Sequence, residues 1–300
     1  MTTIAEPTLA ECRRLRPVGP RDHARGIALS GLATLAELRG IVDSALARPR
    51  VQFVYLHHVF ADEEVGFRRL LEELAMHHAF IGHGEAIERI REGRIDRPYV
   101  SVSLDDGFAD NDRAARILEE FDARGCFFVC PGIVGERDPR RLAEFCAKRL
   151  EFPTTTPFLD WVQLERLVSR GHEIGGHTMT HPDLGETAPA EAAAEIMQSY
   201  EALAERLGGV RHFAWPRGRW ANMTVAARDA VFAAGYETCS SAVRGAHVAP
   251  ATGPLANLCV RRDHVLANWP LGHVRYLLMR NAVAASAATN EWPAEYPRVA

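Results

Sequence analysis

Two kinds of apolar pattern alternate along the chain. Apolar residues recur at helical spacing in eight segments, at 33–48, 66–78, 85–94, 113–124, 161–171, 189–207, 224–234 and 272–280. Short runs rich in β-branched and aromatic residues predict strands at 51–59, 99–104, 126–130, 172–177, 212–215, 236–241 and 258–265. This alternation predicts an α/β fold, a parallel sheet with helices outside it, built either as a barrel or as a doubly wound sheet.

The two ends of the chain lack this alternation of helix and strand patterns. Residues 1–30 are rich in Arg and Pro without a clear period, and we expect a loosely attached N-terminal arm. Residues 31–284 are expected to form a single domain, and residues 285–300 have the composition of a tail. No glycine-rich phosphate loop follows any predicted strand, so a nucleotide-binding Rossmann domain lacks its main support.

Composition narrows the class of protein further. Of 300 residues, 47% are hydrophobic and 25% charged, which is typical of a globular protein. A formal charge of −4 gives no reason to expect nucleic acid or an anionic membrane as a partner. The N-terminus lacks the apolar core of a secretory signal, and no apolar run approaches ~20 residues. We therefore expect a cytoplasmic protein without a transmembrane segment, whose six cysteines are reduced thiols.

The first cluster with chemical potential is Asp105-Asp106-Gly107, directly after the strand YVSVSL. Chemistry in parallel α/β folds lies at the carboxyl ends of the strands. Two adjacent carboxylates there project in different directions, so one can bind a metal while the other addresses the substrate. Taken alone, such a triplet is more often a turn or a helix cap.

The second cluster is the segment HTMTH, which follows the predicted strand HEIGG. Histidines four residues apart lie one above the other on a helical turn, so His177 and His181 can bind one ion through neutral imidazoles. Together with a strand-end Asp they form an Asp/His/His set that leaves coordination positions open, which is typical of catalytic rather than structural sites.

Two further features fall at strand ends. In Trp215-Pro216-Arg217-Gly218, Pro and Gly shape a rigid loop whose backbone N–H can stabilise an oxyanion. His57 and His58 end the strand VQFVYLHHV, and alternation places His57 on the side of Phe53 and Tyr55. From the pattern alone, a hydrogen-bonded core histidine competes with a general acid.

These segments, in this order, resemble the polysaccharide deacetylases of carbohydrate esterase family four, of the NodB-homology type. The matching segments are SLDDG, GCFFVCPG, RGHEIGGHTMTHPDL, FAWPRG and GYETCSS, within residues 50–265. The resemblance implies a distorted (β/α)7 barrel and metal-dependent removal of an acyl group. It implies that Asp105 is the catalytic base and that Asp106, His177 and His181 bind a divalent metal, for which Zn²⁺ is expected.

The resemblance also suggests roles for three other residues. Arg217 matches a Tyr whose backbone N–H contacts the oxyanion, beside Trp215 and Pro216. The helix–strand unit before His57 resembles the C-terminal acid motif of the family, moved to the N-terminus as in permuted members, which favours His57 as the general acid. The competitors are His58, His264 and His273. Ala214 stands where some members carry an Arg that binds the base, and Arg262 is the candidate that could orient Asp105 instead.

We therefore expect an enzyme that acts on an N-acylated amino sugar or glycan precursor and releases acetate or formate. One alternative is a cyclic-amide or ureide hydrolase, since allantoinase-like proteins resemble this barrel. The other is a non-enzymatic barrel that binds glycan with a vestigial metal site.

Overall fold

A computed structural model describes residues 4–296 of the chain. Its strands are β1 (Arg50–Leu56), β2 (Ala79–Phe80), β3 (Pro98–Leu104), β4 (Gly125–Val129), β5 (Glu173–Gly176), β6 (His212–Ala214), β7 (Thr238–Ser240), β8 (Ala246–His247), β9 (Cys259–Val260) and β10 (Arg262–His264). Its helices are α1 (Leu9–Leu15), α2 (Pro20–Leu38), α3 (Ile41–Leu46), α4 (Glu64–His77), α5 (His83–Glu92), α6 (Asn111–Glu119), α7 (Pro139–Lys148), α8 (Trp161–Ser169), α9 (Pro189–Leu207), α10 (Val225–Ala234) and α11 (Leu271–Ala284).

The strands form one curled, mainly parallel sheet, which confirms the predicted α/β fold. The order is β10-β1-β3-β4-β5-β6-β7-β9, and every pair along this path is parallel. Only Arg261 separates β9 from β10, although β9 pairs with β7 and β10 with β1. The two edges of the sheet therefore meet at one point of the chain, and the sheet curls into a distorted barrel.

The core lies on both faces of this sheet. Residues of β1 are all buried, as are those of β3 after Pro98, which explains why these strands read as nearly continuous apolar runs. The larger apolar cluster lies between the sheet and the outer helices, and a smaller one, around Val51, Phe53 and Val260, involves the other face. All six cysteines are free and buried, as expected of small apolar side chains.

Two predicted elements are divided in the structure. The strand predicted over 258–265 is two short strands, since the chain changes partner strand at Arg261. The helix predicted over 33–48 is the end of α2 followed by α3, because Gly40 adopts a left-handed conformation, with φ 64°. α1 and α7 have no counterpart among the predicted elements.

The N-terminal segment packs on the barrel through specific contacts, which differs from the expectation of a loosely attached arm. Asp62 accepts hydrogen bonds from the first N–H groups of α1, at 2.9 Å from Leu9 N and 3.1 Å from Ala10 N. Cys12, within this helix, is buried. The expected boundary at residue 30 falls inside α2, and the division into arm, domain and tail stays a prediction.

The C-terminal segment is also packed against the barrel. The ring of Trp292 lies 5.7 Å from that of Trp215 and 6.1 Å from that of Trp220, and its indole N–H donates to the carbonyl of Ala256. Asn290 is buried and hydrogen-bonds His247 at 2.6 Å. Tail composition did not reveal these contacts because they depend on single side chains.

Among residues 4–296, no helix combines the length and the apolar character that a membrane crossing requires. The expected cytoplasmic location stays a prediction.

Replacing Trp292 with Ala should destabilise the whole barrel, because the ring packs on Trp215 in a site loop. We expect the free energy of unfolding to fall by about 2 kcal/mol, measured by denaturant titration. Val283→Ala, at a side chain that is 50% exposed, is the control and should change stability little. Equal stability of Trp292→Ala and the parent would show that the segment does not contribute to the fold.

Candidate metal centre and active site

The site begins where β3 ends. β3 pairs with β1 along its whole length, and the pairing continues past the strand because Asp105 N donates to the carbonyl of Leu56 at 3.0 Å. The next residue, Asp106, has a φ of 74°, a conformation that non-glycine residues rarely adopt. This turn gives the two carboxylates different environments, as the sequence suggested.

Asp105 forms a bidentate ion pair with Arg262, the first residue of β10. Nη1 of Arg262 donates to Oδ1 of Asp105 at 2.7 Å and Nη2 donates to Oδ2 at 2.8 Å, with both residues buried. The guanidinium also donates to the Ser241 carbonyl and lies 4.4 Å from the ring centroid of Tyr55. Burial alone would raise the pKa of Asp105, but the charge and hydrogen bonds of Arg262, together with the nearby imidazoles of His177 and His57, outweigh burial and keep that pKa below its usual value.

Asp106, His177 and His181 form the only group of three metal-ligating side chains found within the described chain. Their potential ligand atoms lie within 4.8 Å of one another, and all three residues are buried. Oδ1 of Asp106 lies 3.3 Å from Nε2 of His177 and 3.4 Å from Nε2 of His181, yet this buried oxygen has no hydrogen-bond partner among residues 4–296. An unpartnered carboxylate oxygen that faces two imidazole nitrogens fits a divalent cation.

Main-chain carbonyls fix the tautomer of the His177 and His181 imidazoles. Nδ1 of His177 lies 2.7 Å from the carbonyl of Ala214, and Nδ1 of His181 lies 3.2 Å from that of Arg149. Since a carbonyl can only accept, Nδ1 carries the hydrogen in each ring and Nε2 presents its lone pair toward Asp106. Burial lowers the pKa of His181 to about 4, which also favours the neutral imidazole that metal binding requires.

The two histidines meet in a way that the spacing did not predict. HTMTH is not a helical turn: it is an irregular loop in which Thr178 and His181 have φ values of 63° and 58°. Glu195 of α9 holds this loop by accepting hydrogen bonds from the N–H and hydroxyl of Thr180. The imidazole centroids are nevertheless 5.0 Å apart.

The third predicted segment forms a tight loop after β6. Arg217 has a φ of 62°, and in the described chain its N–H donates to no other group. Gly218 is required here, since it has a φ of 66° and a Cβ would approach the Cβ of Ala242 to 2.3 Å. Trp215 and Pro216 are buried, and the indole of Trp215 donates to the carbonyl of Arg219, so these two side chains support the loop.

His57 stands at the end of β1 and borders the same cavity as the metal ligands. Its ring lies 5.5 Å from that of Tyr55 and 5.3 Å from that of His264, which agrees with the predicted alternation. Burial lowers the pKa of His57, which makes the imidazolium a stronger proton donor.

The three competing histidines have different surroundings. His58 lies against the ring of Phe108, 3.8 Å between centroids, and its Nδ1 is 2.9 Å from Asp110. His264 borders the cavity from β10, and burial lowers its pKa to about 3. His273 lies on α11, bonded to Ser30, and does not line the cavity.

A cavity of about 500 Å³ connects these groups. Several of its lining residues were absent from the sequence prediction, because nothing in their local pattern marks them: Arg13, Arg16, Glu63, Arg149, Glu151 and Phe152. They come from α1 and from the two loops after β1 and α7, which fold over the strand ends.

The sequence of residues 92–238 matches the family model for polysaccharide deacetylases. Over this segment, just under half of the chain, the sequence is that of a polysaccharide deacetylase. A chitooligosaccharide deacetylase of Bradyrhizobium sp. (strain ANU 289) is 39% identical over 59 residues, 19% of this chain and 27% of the relative. One of Rhizobium leguminosarum bv. phaseoli is 28% identical over 144 residues, 46% of this chain and 50% of the relative. The chain thus spans half or less of the length of these relatives.

Solved structures agree with the fold. The structure of IcaB from Ammonifex degensii superposes with a TM-score of 0.61 at 21% identity, over 77% of this chain and 98% of that one. The Streptococcus pyogenes deacetylase PplD, in complex with acetate, gives 0.59 at 20% identity, over 77% and 99%. At these identities the likeness establishes the barrel and not the activity.

Replacing Arg262 with Met should leave the buried Asp105 carboxylate without a charged partner. We expect the free energy of unfolding to fall by about 3–5 kcal/mol, measured by chemical denaturation. Adding Asp105→Asn to that variant should restore part of the loss, since no buried charge then remains. Arg280→Met, at an exposed residue of α11, is the control. A double variant as unstable as Arg262→Met alone would contradict the assigned ion pair.

Proposed function

We propose that this protein is a metal-dependent hydrolase that removes an N-acyl group, acetyl or formyl, from an amino sugar or glycan precursor. The observation that carries the proposal is the Asp106–His177–His181 cluster with the ion-paired Asp105 beside it, at the carboxyl ends of β3 and β5. The match to the family model and the chitooligosaccharide deacetylases among the relatives support the same reaction.

In the proposed reaction the amide C–N bond breaks, the oxygen of a water joins the acyl carbon, and a proton passes to the departing amine. Asp106, His177 and His181 would hold the cation, and one carboxylate with two imidazoles suits Zn²⁺. When bound, such a cation activates water and polarises the acyl carbonyl.

Asp105 is the group that takes the proton of the attacking water. Its bidentate pair with Arg262 keeps it ionised and fixes the plane of the carboxylate, at the cost of some basicity. Arg262 thus acts by positioning Asp105 and does not itself meet the substrate.

Two other groups complete the proposed mechanism. The N–H of Arg217, which has no partner in the described chain, is available to donate to the developing oxyanion. His57, on the β1 side of the cavity, protonates the amine as the C–N bond breaks. His58 and His264 border the same cavity and remain competitors for this last role.

Of the alternatives raised by the sequence, neither ring opening of a cyclic amide nor glycan binding without catalysis gains support. Asp105, Asp106, His177 and His181 are brought together with their supporting contacts intact. A cation-free binding module would have no use for a buried, unpartnered carboxylate oxygen.

Variants of the two adjacent aspartates should separate metal binding from turnover. Asp106→Asn should lose bound Zn²⁺, whereas Asp105→Asn should keep it and lose roughly 10²-fold or more in kcat. Metal content is measured by elemental analysis, and acetate release is measured on N-acetylglucosamine oligomers. His273→Ala is the matched control. Full activity of Asp105→Asn with Zn²⁺ bound would refute its role as base.

The leaving group can identify the general acid. His57→Ala should lower the rate of amide hydrolysis roughly 10²-fold or more, because an amine leaves only after protonation. Hydrolysis of 4-nitrophenyl acetate should fall by less than about tenfold, since the phenolate leaves unprotonated. His58→Ala and His264→Ala are assayed in parallel. If one of these shows the selective loss and His57→Ala does not, the acid is that residue.

A further inference from the structure

We propose that the acylated sugar is recognised together with a phosphate group that it carries, bound by Arg13, Arg16 and Arg149 at the opening of the cavity. This inference rests on the proposed function and names its substrate class. All three residues line the cavity and are exposed to solvent.

The first support is the charge balance of the cavity wall. Four acidic side chains line the cavity, and three of them lie beside a positive group or can be neutralised by one. Asp105 pairs with Arg262, Asp106 belongs to the metal cluster, and Glu151 accepts a hydrogen bond from Arg217 at 2.6 Å. The fourth, Glu63, is buried, and burial raises its pKa to about 7.

The arginines at the opening form no close ion pair of this kind in the described chain, although the Glu151 carboxylate also feels the charge of Arg16. Among residues 4–296, no carboxylate lies within 4 Å of the guanidinium of Arg13, Arg16 or Arg149, and Arg16 donates only to the carbonyl of Glu151, at 3.4 Å. The chain as a whole carries a charge of −4, so this local excess of positive charge does not follow from composition. Guanidinium groups bind phosphate oxygens with paired hydrogen bonds, which makes phosphate the fitting anion.

The second support is that the main chain fixes where these arginines stand. α1, which carries Arg13, is capped by Asp62 from the loop after β1 and by its own Thr8–Glu11 capping box. The carbonyl of Arg149 accepts the Nδ1–H of His181, a proposed metal ligand. The backbone that carries Arg149 is therefore joined directly to the proposed metal cluster.

The third support is the nature of the other lining residues. Neutral sugars are commonly held by stacking on exposed aromatic faces, but Tyr55, Phe60, Phe108 and Trp215 are all less than 10% exposed. Apart from histidines, Phe152 is the only partly exposed aromatic side chain that lines the cavity in the described chain. Seven of the described lining residues are exposed. Two of them, Val18 and Leu266, are aliphatic, and the other five are charged, namely Arg13, Arg16, Arg149, Glu151 and Arg217. The polar groups that the exposed wall offers to the remainder of a substrate are therefore mainly guanidinium groups.

Comparing substrates that differ only in phosphate tests this inference. The Zn²⁺-loaded protein is assayed for acetate release from N-acetylglucosamine, its 1-phosphate, a nucleoside diphosphate derivative and a polyprenyl phosphate derivative. We expect kcat/KM to be at least about tenfold higher for a phosphorylated substrate than for the free sugar, and to fall with added salt. The derivative that is preferred identifies the source of the phosphate.

Arginine variants then locate the effect. In Arg13→Gln and Arg149→Gln, the ratio of kcat/KM for the phosphorylated substrate to that for the free sugar should fall roughly tenfold. Arg14→Gln, on the same helix but outside the cavity lining, and Lys148→Gln, beside Arg149, are the matched controls and should keep the parental ratio.

The outcomes separate the two proposals. Equal turnover of neutral and phosphorylated substrates overturns the phosphate site and leaves the deacylase function standing. Absence of turnover on every amide, with Zn²⁺ bound, overturns the function itself. A parental ratio in both arginine variants overturns the assignment of the site to these residues.

Discussion

The buried ion pair between Asp105 and Arg262 is the interaction on which the site depends. Asp105 directly follows β3 and Arg262 begins β10, so the ion pair crosses β1, and Arg262 lies next to Arg261, where the chain passes from one sheet edge to the other. Burying both charges is costly, and the bidentate geometry, together with the aromatic rings of Tyr55 and Phe128 against the guanidinium, offsets that cost only while β10, β1 and β3 lie side by side. The pairing of these three strands therefore also orients the proposed base.

A second constraint is backbone strain around the cavity. Six non-glycine residues in the described chain have positive φ, and four of them line the cavity, each in a different loop: Asp106, Glu151, His181 and Arg217. Such conformations cost free energy and persist only where surrounding contacts enforce them. Here the enforcing contacts include the carbonyl of Arg149 on His181 and the close packing of Gly218 on Ala242. The strain supports preorganisation of the groups that would hold the metal and the oxyanion.

Regular periodicity revealed most of the barrel, and motif order revealed the centre of the site. The strand patterns that end just before Asp105 and just before His177 were sufficient to predict that these residues meet, because parallel strands bring their carboxyl ends to one edge of the sheet. The helical turn predicted for HTMTH was wrong. The left-handed residues of this segment depend on contacts with Glu195 of α9 and with Arg149 just after α7, which local spacing does not encode.

The contributions of residues 1–30 and of Trp292 were missed for a related reason. α1 is positioned by Asp62, more than fifty residues away, and Trp292 by the rings of two distant tryptophans. The sequence pattern also could not identify the general acid among His57, His58 and His264. All three side chains reach the cavity, and they differ only in the groups that they contact.

Burial also explains how charge is distributed from the floor of the cavity to its opening. On the floor, ionised groups are tolerated only in pairs or beside a cation, since an isolated charge removed from water is strongly disfavoured. At the opening, water solvates unpaired guanidinium groups, so Arg13 and Arg149 can remain without partners at little cost. An uncharged acyl amide is therefore compatible with the floor and an anionic group with the rim. A substrate with its acylated nitrogen close to its phosphate would match both regions in a single orientation.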